Sequence, residues 1–173
     1  MSVIFRPCVL IPCYNHGAMI ASVLSRLAPF GLPCLVVDDG SDAVTRRELE
    51  RLAAEQPQMT LVRLAQNAGK GAAVIRGLEE CARTGYTHAV QVDADGQHAI
   101  EDIPKLLALA ERPGRVLGRE QLLQLSRGEP SDSVDRAVDL AISRLRRKLE
   151  QARAGVGIRM LRGLGYRLEA GGD

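Results

Sequence analysis

Aromatic residues make up only 3% of this 173-residue chain: there is no tryptophan, and Phe5, Phe30, Tyr14, Tyr86 and Tyr166 are the whole set. Surfaces that bind single-stranded nucleic acid by stacking bases on aromatic rings are therefore not expected. No apolar run approaches the roughly 18 to 20 residues of a membrane span. The opening MSVIFRPCVLIPC has neither a basic leader segment nor a small-residue cleavage site, so a cytoplasmic location is expected. Cys8, Cys13, Cys34 and Cys81 form no CxxC pair and sit in or beside apolar runs, the pattern of small core hydrophobes rather than of zinc ligands or disulfides. With 46% hydrophobic and 25% charged residues, disorder and collagen-like repeats are excluded. The length suits one domain, or one and a half.

The net charge of +2 hides a division. Residues 1–111 carry 10 Lys and Arg against 13 Asp and Glu, whereas residues 112–173 carry 13 against 8. The two parts call for different partners, and the basic part is the one suited to nucleic acid.

In the first part, apolar runs alternate with helical periodicity. Val9–Ile11 is stopped by Pro12 and Asn15, and Ile20, Val23, Leu24 and Leu27 then recur at helical spacing. CLVVDDGSD repeats the strand, with Ser41 or Asp42 available to cap the helix TRRELERLAAE. MTLVRL leads through QNAGKG into AAVIRGLEECART, and THAVQVDADG precedes the helix IEDIPKLLALAE. Four β-α units in succession predict an α/β fold with a Rossmann-like parallel sheet and right-handed crossovers. Ligands of such sheets bind past the carboxyl ends of the strands. Those ends here are PCYN, DDGSD, QNAGKG and DADGQH, so most of the polar chemistry of this part falls on one edge.

Asp93 and Asp95, two apart in an extended segment, point their carboxylates the same way and repel unless a cation intervenes. Hard oxygen donors suit Mg²⁺ or Mn²⁺ bridging a diphosphate, and Gln97 continues the series with a neutral oxygen. The alternative is a solvated acidic turn. Asp38 and Asp39 end a buried strand, where carboxylates accept hydrogen bonds from a base or ribose; helix capping is the other reading. Gly69, Lys70 and Gly71 make a flexible cationic turn before a helix N-terminus, favourable for phosphate. It is neither a Walker loop nor GxGxxG, because Val74 stands where the last glycine would be.

VLIPCYN, LVVDDGSD, NAGKGAAVIRGL and VQVDADGQH, in this order and spacing, resemble the nucleotide-binding half of inverting family 2 glycosyltransferases of GT-A fold, which include polyprenyl-phosphate sugar synthases. The resemblance implies that Pro12, Tyr14 and Asn15 shape a base pocket and that Asp38 and Asp39 meet the nucleotide. It further implies that Lys70 lies near the phosphates and that Asp93, Asp95 and Gln97 hold Mg²⁺ or Mn²⁺. His16 replaces an acidic residue that many members carry. The implied ligand is a nucleotide-diphosphate sugar. The pattern is lost soon after residue 111, before the family's acceptor side and general base, so the expected enzyme is a glycosyltransferase with impaired or no transfer.

From Arg112 the alternation stops. RPGRVLGREQLLQL reads as a turn and a short helix, and SVDRAVDLAISRLRRKLEQA as a longer one with Val134, Val138, Ile142, Leu145 and Leu149 on one side. IRMLRGLGYRLE reads as a hairpin around Gly163 and Gly165. A basic helix is either a solvated face or, with a short helix before it and a basic hairpin after it, part of a winged helix-turn-helix.

PGRVLGREQLL, DRAVDLAISRLRRKLE and RGLGYRLE resemble the C-terminal effector domain of OmpR-type response regulators over residues 106–169. This implies that Arg136, Ser143, Arg144 and Arg146 face double-stranded DNA from the recognition helix and Arg162 from the wing. Leu140, Ile142, Leu145 and Tyr166 would pack inside. Ala141 stands where many members have histidine, and Met160 where a polar wing residue is common.

The chain thus reads as a hybrid: a GT-A-like half-domain over 1–111 and a partial winged helix over 112–173, joined through about 106–119, with the helix 101–111 compatible with either. Three functions follow as alternatives: a nucleotide-sugar site, a DNA-binding regulator, or a chimera that keeps local structure only.

Overall fold

The computed structural model describes residues 4–97, 99–124, 134–151, 153 and 155–170. His98 of the DADGQH motif lies outside these residues, as does the side chain of Val134. Two compact units are present, Met1–Ile100 and Glu101–Asp173.

The first unit contains strands β1 (Pro7–Cys13), β2 (Cys34–Asp38), β3 (Met59–Arg63) and β4 (His88–Gln91), and helices α1 (Gly17–Leu27), α2 (Ala43–Glu55) and α3 (Lys70–Arg83). The sheet order is β3-β2-β1-β4 and every pairing is parallel, with Val9 opposite Cys34 and Cys13 opposite Asp38. Every residue of β2 is buried, and every residue of β1 after Pro7. That is why these strands read as unbroken apolar runs rather than alternating ones. Ile20, Val23, Leu24 and Leu27 form the buried face of α1. Asp42 caps α2, its Oδ1 accepting the Thr45 N–H at 2.8 Å. Helix α3 approaches the sheet at Gly77, where an added Cβ would lie 2.2 Å from Leu10 Cδ1 and 3.0 Å from Val37 Cγ2. All four cysteines are buried and free, with Cys8 Sγ 3.3 Å from Cys81 Sγ.

The second unit contains α4 (Ile103–Glu111), α5 (Arg119–Gln124), α6 (Val134–Gln151) and an antiparallel hairpin of β5 (Val156–Leu161) and β6 (Gly165–Ala170). Ala108 and Leu109 of α4 join Leu122 of α5, Val138, Ile142 and Leu145 of α6, and Ile158 and Tyr166 of the hairpin in one core. Helix α4 therefore belongs to the same core as the basic helix. Tyr166 is buried, pairs through an antiparallel bridge with Leu117, and donates its hydroxyl to Asp139 Oδ1 at 2.5 Å. Arg119 and Arg146 hold their guanidinium groups 5.2 and 5.8 Å from its ring centre.

One core expectation fails. Leu140 is 60% exposed, because the buried positions of α6 are Val138, Ala141, Ile142 and Leu145, and a residue two places after Val138 lies about 200° round the helix. Ile142, Leu145 and Tyr166 are buried as expected.

Candidate functional site

A cleft of about 270 Å³ opens at the carboxyl edge of the parallel sheet. Four strand ends line it: Pro12, Cys13, Tyr14 and His16 after β1, Asp39 after β2, Asn67, Gly69, Lys70 and Ala73 around the start of α3, and Asp93, Ala94 and Asp95 after β4. Eight residues singled out in the sequence therefore meet here: Pro12, Tyr14, His16, Asp39, Gly69, Lys70, Asp93 and Asp95.

Asn15, Asp38 and Gln97 are not part of the lining. Asn15 has the left-handed φ of 55° that asparagine tolerates better than most residues. Its backbone N–H donates to Ser41 Oγ at 3.0 Å and its Oδ1 accepts the Asp42 N–H at 2.8 Å, tying the loop after β1 to the loop after β2. Asp38 has no solvent exposure; Oδ1 accepts the Ser41 N–H and Oδ2 accepts from Arg63 Nε, both at 2.9 Å. Gln97 has an exposed side chain, and its backbone N–H donates to Asp95 Oδ1 at 3.0 Å.

Asp39 lines the cleft from a buried position. Its Oδ1 accepts the Ala68 N–H at 2.8 Å and its Oδ2 the Gly69 N–H at 2.9 Å, so it fixes the turn that begins α3. The close approach of these loops demands glycine at position 40: φ is +67°, and a Cβ there would stand 2.3 Å from backbone atoms of Gln66 and Asn67. Lys70, the first residue of α3, crosses the cleft to put Nζ 2.7 Å from Asp93 Oδ1. Below them the turn after Asp95 is held from α1, where Arg26 Nη1 donates to the Gly96 carbonyl at 2.9 Å.

Cys13, Asn67, Ala73 and Ala94 were not foreseen as lining. Asn67 was legible as the polar residue opening the glycine turn, whereas Cys13 looked like core and is buried, though it also lines the cleft. Burial pushes the Cys13 thiol up to about 11, with a smaller push from Asp38 and a backbone hydrogen bond from His16 acting the other way. It is a neutral wall at physiological pH, not a nucleophile.

Asp93 and Asp95 present hard oxygen donors two residues apart, the donor set that Mg²⁺ or Mn²⁺ takes when phosphate oxygens and water complete the shell. No three His, Cys, Asp or Glu residues gather round a metal position among the described residues.

In the second unit, Arg136, Ser143 and Arg162 are exposed. Arg144 and Arg146 have internal partners. Arg144 makes a two-pronged ion pair with Asp102, Nε to Oδ2 at 2.7 Å and Nη2 to Oδ1 at 2.9 Å, and Arg146 Nε donates to the Ile158 carbonyl at 2.7 Å. Arg147, one of the basic residues of this helix but not among those the resemblance turns toward DNA, is exposed and completes the stripe Arg136, Leu140, Ser143, Arg147 at steps of four, three and four.

Residues 8–126 match the family model described as Glycosyl transferase family 2, and residues 105–168 match the one described as Transcriptional regulatory protein, C terminal. Among curated relatives, the polyprenol monophosphomannose synthase of Mycolicibacterium smegmatis is 36% identical over 105 residues, covering 59% of this chain and 40% of that protein. The undecaprenyl-phosphate mannosyltransferase of Micrococcus luteus is 32% identical over 120 residues, covering 68% and 49%. The chain spans less than half the length of these two relatives. A solved mannosyltransferase from Pyrobaculum calidifontis, in complex with GDP-Man and Mn²⁺, shares the fold with a TM-score of 0.50 at 21% identity, over 69% of this chain and 38% of that one.

Proposed function

The chain belongs to glycosyl transferase family 2, and on that premise we propose that its cleft binds a nucleotide-diphosphate sugar together with Mg²⁺ or Mn²⁺. The observation that carries this reading is the convergence of Asp39, Lys70, Asp93 and Asp95 from three strand ends on one cleft. The Mn²⁺ and GDP-Man named for the Pyrobaculum calidifontis enzyme support the same ligand class.

In this reading Pro12 and Tyr14 wall the base, and Asn15 holds that wall in place through Ser41 and Asp42. Asp39 faces the nucleotide while keeping the glycine turn open for phosphate. Asp38 acts from behind, as the buried anchor of the loop that carries Asp39. Lys70 meets the diphosphate, and Asp93 and Asp95, with Gln97 beside them, hold the metal. Such an ion, when bound, neutralises charge on the diphosphate leaving group.

Transfer also needs a base to take the acceptor hydroxyl proton. The three carboxylates lining the cleft already have other tasks: Asp39 accepts two backbone N–H groups, Asp93 pairs with Lys70, and Asp95 accepts from Gln97. The reading is accordingly donor binding with impaired or absent transfer. Substituting Asp95→Ala tests it: Mn²⁺-dependent nucleotide binding is lost, and unchanged Mn²⁺-dependent affinity would remove the metal assignment.

A second reading rests on the exposed stripe Arg136, Ser143, Arg147 of α6, the exposed Arg162 at the hairpin tip, and the match over 105–168. These groups would contact duplex DNA, while Arg144 and Arg146 brace α6 against Asp102 and β5. The two family matches overlap over 105–126, which supports a hybrid origin of the chain. No helix among the described residues is long and apolar enough to cross a membrane.

A further inference from the structure

Lys70 and a divalent ion have a claim on the same atom. Lys70 Nζ lies 2.7 Å from Asp93 Oδ1, the oxygen that also accepts from Gln91 Nε2 at 3.1 Å. The Asp93 side chain is 24% exposed and that of Lys70 is 59% exposed, so the carboxylate is the fixed member of the pair and the ammonium the movable one. Lysine suits such a role, being a point charge on a flexible four-carbon stem with three donors that impose little geometry. Its backbone, by contrast, is anchored: Asp39 holds the turn before it, and Lys70 is the first residue of α3.

We propose that Lys70 is a resident counter-ion of the Asp93–Asp95 pair, which makes metal and diphosphate bind as a coupled pair and each bind poorly alone. The proposal rests on the reading of the cleft as a nucleotide-diphosphate site. A divalent ion arriving alone must either displace the ammonium from Asp93 or sit beside it, and both are unfavourable. A diphosphate arriving alone draws Lys70 away from Asp93 and brings its own negative charge up to the Asp93 and Asp95 carboxylates. When both arrive, the metal takes over the charge of Asp93 and Lys70 is released to the phosphates. One exchange of partners then serves both ligands, and the coupling is reciprocal: each raises the affinity for the other by the same factor.

The test titrates the full chain with Mn²⁺ alone, followed by the paramagnetic signal of free Mn²⁺, and with GDP and UDP, with and without Mn²⁺, followed by calorimetry. Wild type is compared with Lys70→Met, Lys70→Gln and Lys70→Arg, each checked for an unchanged melt. The two neutral variants bind Mn²⁺ alone about tenfold more tightly than wild type. They also lose much of the tightening of nucleotide by Mn²⁺, while Lys70→Arg stays close to wild type in its low affinity for Mn²⁺ alone. A lysine that served only the phosphates would leave the affinity for Mn²⁺ alone unchanged. That result, in a wild-type chain that does bind GDP or UDP with Mn²⁺, would overturn the counter-ion role and leave the nucleotide reading standing. A wild-type chain that binds neither nucleotide under any condition would overturn both.

Discussion

Arg63 Nε lies 2.9 Å from Oδ2 of Asp38, a carboxylate with no solvent exposure, and the same guanidinium reaches Glu50 through Nη1 at 2.8 Å. The two adjacent aspartates at the end of β2 are both buried but hold different partners. Asp38 holds its own loop through Ser41 and Arg63 away from the cleft, whereas Asp39, in the cleft wall, holds the turn before α3.

From this division Asp38→Ala is expected to lower stability by about 2 kcal/mol, because it leaves the Ser41 N–H and part of the Arg63 charge without their partner. Arg63 is about one-third exposed, which keeps the loss below that of a fully buried pair. Thermal or urea unfolding measures it. A variant as stable as wild type would show that Asp38 does not anchor the loop.

Two glycines beside the cleft should respond oppositely to the same substitution. Gly40→Ala forces a side chain into φ +67° and against the backbone of Gln66 and Asn67, costing at least about 2 kcal/mol. Gly71→Ala, in the first turn of α3 with nothing within 4 Å of the new Cβ, is expected to gain about 0.5 kcal/mol. Melting temperatures of the two variants provide the comparison, and a Gly40→Ala protein that melts with wild type would contradict the loop packing.

In the second unit, the Arg119 guanidinium and then the Tyr166 hydroxyl hold the Asp139 carboxyl below the usual aspartate range. A carboxyl that binds its proton less tightly when folded stabilises the fold above its unfolded value of about 3.9 and loses that contribution as pH falls through the folded value. The stability advantage of wild type over Asp139→Asn is therefore expected to be present at pH 7 and to shrink below about pH 4. Tyr166 runs the other way, since burial and Asp139 raise its hydroxyl, so the unit weakens under alkaline conditions above about pH 10. Unfolding followed across pH for both proteins checks the signs.

If α6 meets DNA, Arg136→Ala, Arg147→Ala and Arg162→Ala weaken duplex binding and reduce its salt slope by about one ion each. Arg144→Ala acts first on stability, because the buried Asp102 loses its two-pronged partner and keeps the longer contact with Lys105 at 3.9 Å. Fluorescence anisotropy of a labelled duplex at rising salt separates these effects. No change in affinity or slope for the three exposed arginines would mark the stripe as a solvated face.

Most of the first unit was legible because its signals are local. Apolar runs of β-branched residues ended by Pro, Asn, Asp and Gly marked the strands, and the order of units fixed which ends share an edge. What was not legible depends on partners far apart in sequence. Nothing near Asp38 announces Arg63, nothing near Lys70 announces Asp93, and the ion pair of Arg144 with Asp102 joins residues of one unit that local pattern treats separately. The exposure of Leu140 was locally legible, since its position relative to Val138 and Ile142 excludes it from the buried face, but family resemblance placed it inside.

The measurement that bears most directly on the central claim is calorimetric titration of the full chain with GDP and UDP, with and without Mn²⁺, after a cooperative melt has been recorded. One of the two nucleotides is expected to bind, and Mn²⁺ to strengthen the binding. A well-folded chain that binds neither, in the presence or absence of Mn²⁺, would contradict that claim.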